Sequence, residues 1–282
     1  MSFLLLVLSG GAAQATAVAP ATPAALPASH QFIMAAKASG REFIIQVAEP
    51  VRPPRPGERT AVVYVLDGDY TFGLATDIAR ALQIMGEMAP AYVVAIGYPG
   101  DDLGGWVKGR LHDLNHREVD LFGEKVGGGG GAFQSFLLQE LRLLIEARYP
   151  IDSGRAVLAG HSLGGQFAAQ VLLNRSDSFA GYVIGSPSLW IVPQIIAEAK
   201  AEAKRPGPRA KVYVGAGSEE KNENLALMAE ELAMTLKTSD RFDVSHRTFD
   251  KEGHITVAGS LLAHGLKFVL PPPRRRAPAP SG

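Results

Sequence analysis

The sequence predicts an α/β protein with a mostly parallel central sheet covered by helices on both faces. Three observations carry this. Short unbroken apolar runs, such as 61–66 and 92–96, have the character of strands buried on both faces. Longer stretches between them repeat apolar residues at helical spacing, as in Phe133, Phe136, Leu137, Leu141, Leu144 and Ile145. The two patterns alternate along the chain, which calls for right-handed crossovers between parallel strands.

In order, 43–47 reads as a strand and the Pro-rich stretch 50–56 as a turn. The buried strand 61–66 is followed by a helix over 71–85, with Leu74, Ile78, Leu82 and Met85 on one side. After the strand 92–96, residues 98–130 contain nine glycines and read as a long irregular connection. Next come the helix beginning at Phe133, a strand over 155–160 and the helix after it. The strand 182–184, a helix over 190–203, the strand 211–214 and a helix over 221–237 continue the alternation. A strand over 242–249 and a helix over 255–270 close it. No internal repeat is visible, and 30–270 reads as one domain.

The 282 residues are 46% hydrophobic and 20% charged, enough apolar mass for a substantial core. Formal net charge is zero, which favours neither nucleic acid nor an anionic membrane. Five consecutive glycines, 127–131, lack the Lys-Ser/Thr of a phosphate loop and read as a flexible loop. There is no cysteine, hence no disulfide, thiolate or Cys-ligated zinc. The first 19 residues read as an export signal: an apolar run at 3–8 and small-x-small cleavage sites at 13–15 and 17–19. No Lys or Arg precedes that run, so a cytoplasmic chain with an apolar tail stays open beside a periplasmic or secreted one. The run is too short to span a bilayer. Residues 20–29 read as a disordered linker and 271–282, rich in Pro and Arg, as a loose tail.

One motif carries chemistry. Gly160-His161-Ser162-Leu163-Gly164 is the only Gly-x-Ser-x-Gly in the chain, and it falls between a strand and a helix. That context makes it a nucleophile elbow, a sharp turn that exposes the Ser hydroxyl at the end of a sheet. The Leu163 N–H then points at the same spot and can hold an oxyanion. A second donor is expected from the loop after 61–66, with the Asp69 N–H the best candidate and Gly68 giving the turn its freedom. The Asp69 side chain is expected to turn away or to bind a substrate amine or hydroxyl, and Asp67 to shape the turn.

A Ser nucleophile needs a base, and the base an orienting acid. Three histidines follow Ser162. His246 reads as the exposed face of a strand and His264 lies mid-helix. His254 sits in the loop after the last strand, where such sheets collect their sites, and is the expected base. The acid is expected just past the strand 211–214. Glu220, three residues after Gly217, leads; Glu219 is the alternative, and a Ser–His dyad without an acid a third reading. No metal or organic cofactor is called for.

Val65-Leu66-Asp67-Gly68-Asp69, Gly97-Tyr98, Arg110-Leu111-His112-Asp113-Leu114, the Ser162 elbow with Gly165, Ser186-Pro187-Ser188-Leu189-Trp190 and Gly253-His254 occur in a distinctive order. With them the chain resembles the putative esterase family of α/β-hydrolases, which includes periplasmic siderophore esterases of the enterobactin and salmochelin type, esterase D and the mycolyltransferases. The resemblance spans about residues 30–270. It implies the α/β-hydrolase fold and a serine carboxylic-ester hydrolase working on a small-molecule ester. Ser162 would be the nucleophile, His254 the base, and Leu163 and Asp69 the oxyanion donors. It makes Arg110 a candidate contact for an anionic substrate group, against an ion pair with Asp113 or another nearby acid. It makes Trp190 a stacking surface for an aromatic acyl group, against a core position. The family often continues Asp-Leu-Thr-Pro where this chain has Asp113-Leu114-Asn115-His116. Acyl transfer by the same residues, or ligand binding without catalysis, are the competing functions.

Overall fold

The computed structural model describes residues 24–100, 102–121, 123–220 and 224–272. Its strands in chain order are β1 (Ser29–Ala35), β2 (Glu42–Ala48), β3 (Thr60–Leu66), β4 (Ala91–Gly97), β5 (Glu118–Leu121), β6 (Glu124–Gly127), β7 (Ile151–His161), β8 (Gly181–Gly185), β9 (Ala210–Gly217) and β10 (Phe242–Phe249). Eight of them form one sheet in the order β1-β2-β4-β3-β7-β8-β9-β10. β1 and β2 run antiparallel to their neighbours, and every pair from β4 to β10 is parallel. The mostly parallel sheet is what the alternating sequence pattern predicts, and its architecture is the α/β-hydrolase one that the resemblance implies.

Alternate residues of the buried strands serve two cores. Val62, Tyr64, Leu66, Leu158, Ile184 and Val214 face one cluster. Val63, Val65, Val157, Ala159, Val183 and Tyr213 face the other. The second cluster is closed by α1 (Gly68–Ile84) and α8 (Val257–Val269), through Ala75, Ala79, Leu261 and Leu266. The first is closed by α3 (Gly130–Ser135), a π-helical turn (Phe136–Leu141), α4 (Arg142–Arg148), α5 (Leu163–Asn174), α6 (Ile195–Glu202) and α7 (Leu225–Leu236). Phe136, Phe167 and Leu232 are essentially inaccessible there. Each large side chain so buried contributes roughly 1.5–3 kcal/mol of transfer free energy.

Residues 98–130, read as irregular from their glycines, instead hold α2 (Leu103–Asp113) and the hairpin β5–β6. Three glycines weaken the helical signal of α2, but Asp102 caps it by accepting from the Gly104 and Gly105 N–H groups at 3.1 and 2.8 Å. The stretch 190–203 divides into a 3₁₀ turn (Leu189–Ile191) and α6. Part of the expected linker is built in: the Ala28 carbonyl accepts from Glu49 N–H, and Ser29 opens β1. The expected signal at 1–19 and the tail from 273 lie outside the described residues. Among the described residues no helix is long and apolar enough to cross a membrane.

Candidate active site

Ser162 stands alone between the end of β7 and the start of α5, with φ 60° and ψ −120°. That backbone is strained for any residue with a side chain and persists only where its surroundings fix it. The Ser162 N–H donates to Gly185 O at 2.9 Å, and its carbonyl accepts from Gln166 and Ser188 N–H. The flanking glycines are needed for space. A Cβ at Gly160 would overlap the Gly164 carbonyl, and one at Gly165 the Gly185 carbonyl. Leu163 is the first residue of α5, so its N–H has no acceptor within the helix.

Two loops bring the other groups together. The loop after β9 and the loop after β10 are tied by Ser218 N–H to Phe249 O (2.8 Å), Glu219 N–H to Glu252 O (3.0 Å) and Lys251 N–H to Ser218 Oγ (2.9 Å). Within this frame His254 Nδ1 lies 2.9 Å from Glu220 Oε2. The other carboxylate oxygen accepts from Ser186 Oγ and Gly217 N–H, both at 2.6 Å. Burial opposes the Glu220 charge, but the bonds from His254, Ser186 and Gly217 outweigh it and hold the carboxyl below the usual glutamate range. Glu219 is exposed and, among the described residues, enters this frame only through its backbone N–H. Among the described residues the Ser162 hydroxyl is hydrogen-bonded to Ser188 Oγ, at 3.3 Å, and not to His254.

The His161 ring packs against His254, with centroids 4.6 Å apart. Its Nε2 is buried and has no partner among the described residues. Burial, then the neighbouring His254, push its pKa down to about 4, so it is neutral at ordinary pH. His246 is half-buried rather than exposed, with Nε2 unpartnered among the described residues, while His264 is exposed and 3.3 Å from an Arg247 nitrogen.

Asp69 is in the first turn of α1. Its carboxylate accepts from Tyr98 N–H at 3.1 and 3.2 Å, so it is turned toward the end of β4. Burial raises its pKa against the pull of that bond. The turn differs from expectation in one respect. Asp67 carries the left-handed backbone, at φ 58°, and Gly68 is needed because a Cβ there would press on the Ile96 backbone and Gln46.

Arg110 is engaged by an acid of its own chain. Its Nε and Nη2 donate to the two Asp67 oxygens at 2.9 Å each, and its guanidinium lies 5.0 Å from the Trp106 ring centroid. The side chains are only 13% and 1% exposed. The ion-pair reading therefore applies, with Asp67 as the acid. Asp113 is engaged by Arg41 instead. Trp190 is not a core residue; it is 36% exposed, two residues after Ser188.

The Putative esterase family model matches residues 36–256. The chain belongs to the Putative esterase family. It is 30% identical over 266 residues to the ferri-bacillibactin esterase BesA of Bacillus subtilis (strain 168), covering 88% of this chain and 91% of that one. It is 35% identical over 184 residues to a siderophore triacetylfusarinine C esterase of Aspergillus fumigatus, covering 60% and 59% of the two chains. The crystal structure of the BES protein from Bacillus cereus superposes with a TM-score of 0.81 at 26% identity, over 90% of this chain and 99% of that one. This esterase is a carboxylic ester hydrolase. Sequence reasoning passed over several residues of its site. Ser186 and Ser188 were visible only as part of a motif, and His161 only as the variable position of the elbow.

Proposed function

We propose that this esterase cleaves siderophore-type lactone esters through an acyl-enzyme on Ser162. The carrying observation is the 2.9 Å contact between His254 Nδ1 and Glu220 Oε2 beside a serine in strained backbone. With the Nδ1 proton directed at Glu220, the imidazole keeps a lone pair on Nε2. His254 takes the Ser162 proton as the hydroxyl leaves Ser188 and attacks the ester carbonyl. The Leu163 and Asp69 N–H groups, each in the first turn of a helix, receive the developing oxyanion. His254 then protonates the leaving alkoxide, and water repeats the sequence. Glu220 holds the imidazole in the right tautomer and offsets its positive charge. Arg110 acts indirectly: by fixing Asp67 it holds the turn that presents Asp69. Trp190 borders the site and offers a face to the substrate.

Names of relatives support the substrate class, since those matched act on ferri-bacillibactin and triacetylfusarinine C. The apolar run and cleavage motifs in residues 1–19 support export, which N-terminal sequencing of the mature protein checks. The test of function is hydrolysis of a siderophore trilactone beside short p-nitrophenyl esters, with wild type and Ser162→Ala in parallel. Preference for the trilactone, lost in the variant, is expected. Turnover of simple esters alone overturns the substrate class. Products built on an added alcohol, in place of free acid, make the enzyme a transferase.

A further inference from the structure

The loop after β8 touches both the acid and the nucleophile. Ser186 follows Gly185, the last residue of β8, and its N–H donates to Gly215 O at 2.7 Å. Its hydroxyl donates to Glu220 Oε1, 34 positions on, at 2.6 Å. Two residues after Ser186, the Ser188 N–H donates to Ser162 O at 3.2 Å. The Ser188 hydroxyl lies 3.3 Å from Ser162 Oγ. The segment Ser186-Pro187-Ser188 therefore spans from Glu220 to Ser162.

The backbone at Ser186 is strained. Its φ of 39° lies where residues with a side chain are disfavoured and glycine is comfortable. A glycine would relieve that strain, and what the serine adds over glycine is a hydroxyl. Ser186 is 0% exposed, and among the described residues the one partner of its hydroxyl is the Glu220 carboxylate. Strain held in place beside a reacting constellation points to a role in it.

Glu220 depends on such donors. Its side chain is 0% exposed, and among the described residues its one ion-pair partner is His254. Oε2 has to face His254 Nδ1, so Oε1 must be pinned if the carboxylate is not to turn. Two donors pin it, Gly217 N–H and Ser186 Oγ. The Gly217 N–H hangs from the same loop as Glu220, three residues back. The Ser186 hydroxyl comes from the end of another strand, so it fixes the carboxylate relative to the sheet. The same bonds hold the charge on the buried carboxyl.

We propose that Ser186 is a positioning residue of this esterase: its hydroxyl pins Glu220 Oε1 so that Oε2 stays aimed at His254 Nδ1. The proposal rests on the triad mechanism given above and adds the side chain that orients its acid. Ser186 acts through Glu220 and the imidazole, so it bears on kcat and not on KM.

The test compares Ser186→Ala and Ser186→Gly in the full-length enzyme on a p-nitrophenyl ester. Both lose the hydroxyl, but only the glycine relieves the backbone. Both are expected to lower kcat by about tenfold or more, with KM within about twofold of wild type. Ser186→Gly, relieved of strain, is expected to stay folded in chemical denaturation, so its loss of activity reads the hydroxyl alone. An imidazole Nδ1 proton bound to a carboxylate is strongly deshielded, and that His254 signal is expected to shift or vanish in both variants. Added to Glu220→Gln, Ser186→Ala is expected to change kcat by less than about twofold, because the group it acts through is already lost. Recovery of wild-type kcat by Ser186→Gly assigns the serine to backbone geometry and overturns the proposal. Wild-type kcat in both variants, or a further loss of about tenfold in the Glu220→Gln background, overturns it as well. Fluorophosphonate labelling of Ser162 in the wild type separates the two levels. Absent labelling with absent turnover refutes the triad mechanism itself, whereas labelling and turnover that survive both substitutions unchanged refute only the role of Ser186.

Discussion

Replacing Glu220 by Gln keeps the shape of the side chain and removes its charge. The surroundings dictate how the new amide orients. One carboxylate oxygen accepts from the Gly217 N–H, a donor that cannot reverse, and from Ser186 Oγ, both at 2.6 Å. The amide oxygen is therefore held on that side, and its NH₂ faces His254 Nδ1 at the position where Oε2 stands 2.9 Å away. A donor now meets the nitrogen that must itself donate. The imidazole shifts its proton to Nε2 and loses the lone pair that deprotonates Ser162. For the same change in a serine protease triad the loss is about 10⁴ in kcat, or about 5.5 kcal/mol of barrier. The same order is expected for Glu220→Gln, measured as kcat on a p-nitrophenyl ester at neutral pH, with Glu219→Gln as control and expected within about twofold of wild type. Retention of kcat within tenfold by Glu220→Gln would refute the assignment of the acid, and a large loss in Glu219→Gln would move it. Stability gives an independent reading. Because the folded-state pKa of Glu220 lies below its unfolded value, its contribution is present above the ordinary glutamate range and lost as pH falls through the lowered value. Glu220→Gln should flatten that acid limb of the melting curve.

Ser162→Ala is expected to lower kcat by about 10⁶, read by burst and steady-state kinetics, and to abolish fluorophosphonate labelling. Arg110→Ala leaves the 1%-exposed Asp67 carboxylate without its partner and should destabilise the fold by about 3–5 kcal/mol in chemical denaturation. Raised KM at unchanged stability would instead make Arg110 a substrate contact. His161→Gln tests a pH effect. The folded-state pKa of His161, about 4, lies below its ordinary value near 6.5, so in that window the unfolded chain binds a proton that the folded one refuses. Wild type loses stability on acidification through it, and the variant should lose less, by about 3 kcal/mol at most. Melting curves of equal steepness against pH would contradict the buried, neutral ring.

The parallel core and its helices were legible because their signals are local: unbroken apolar runs for β3, β4, β7 and β8, and helical spacing for α1 and α7. The places of Ser162, His254 and Glu220 were legible for the same reason, each being a loop residue at the end of a recognisable strand. The edge strand β1 was not, because only alternate residues such as Phe32 and Met34 pack inward while Ile33 is 59% exposed. α2 was hidden by its glycines, since what holds it is tertiary: Trp106 on Tyr70 and Arg110 on Asp67, 43 positions away. The Arg110 partner and the Ser162–Ser188 contact depend on where chain segments meet, which no local pattern encodes.

The centre of the sheet is the parallel pair β3–β7, whose strands begin at Thr60 and Ile151. About a third of the chain must be threaded between them before this pair can close. A pair made of such distant segments carries a cost in chain-closure entropy, which slows its formation. On the proposed mechanism the Ser162 turn needs that pairing and His254 lies beyond β10, so ester turnover is expected only once nearly the whole chain has folded. A partly assembled molecule exposes the apolar edges of β3 and β7, a state in which association with other chains competes with completion. Recovery of activity during refolding is therefore expected to follow the docking of the segments beyond β10.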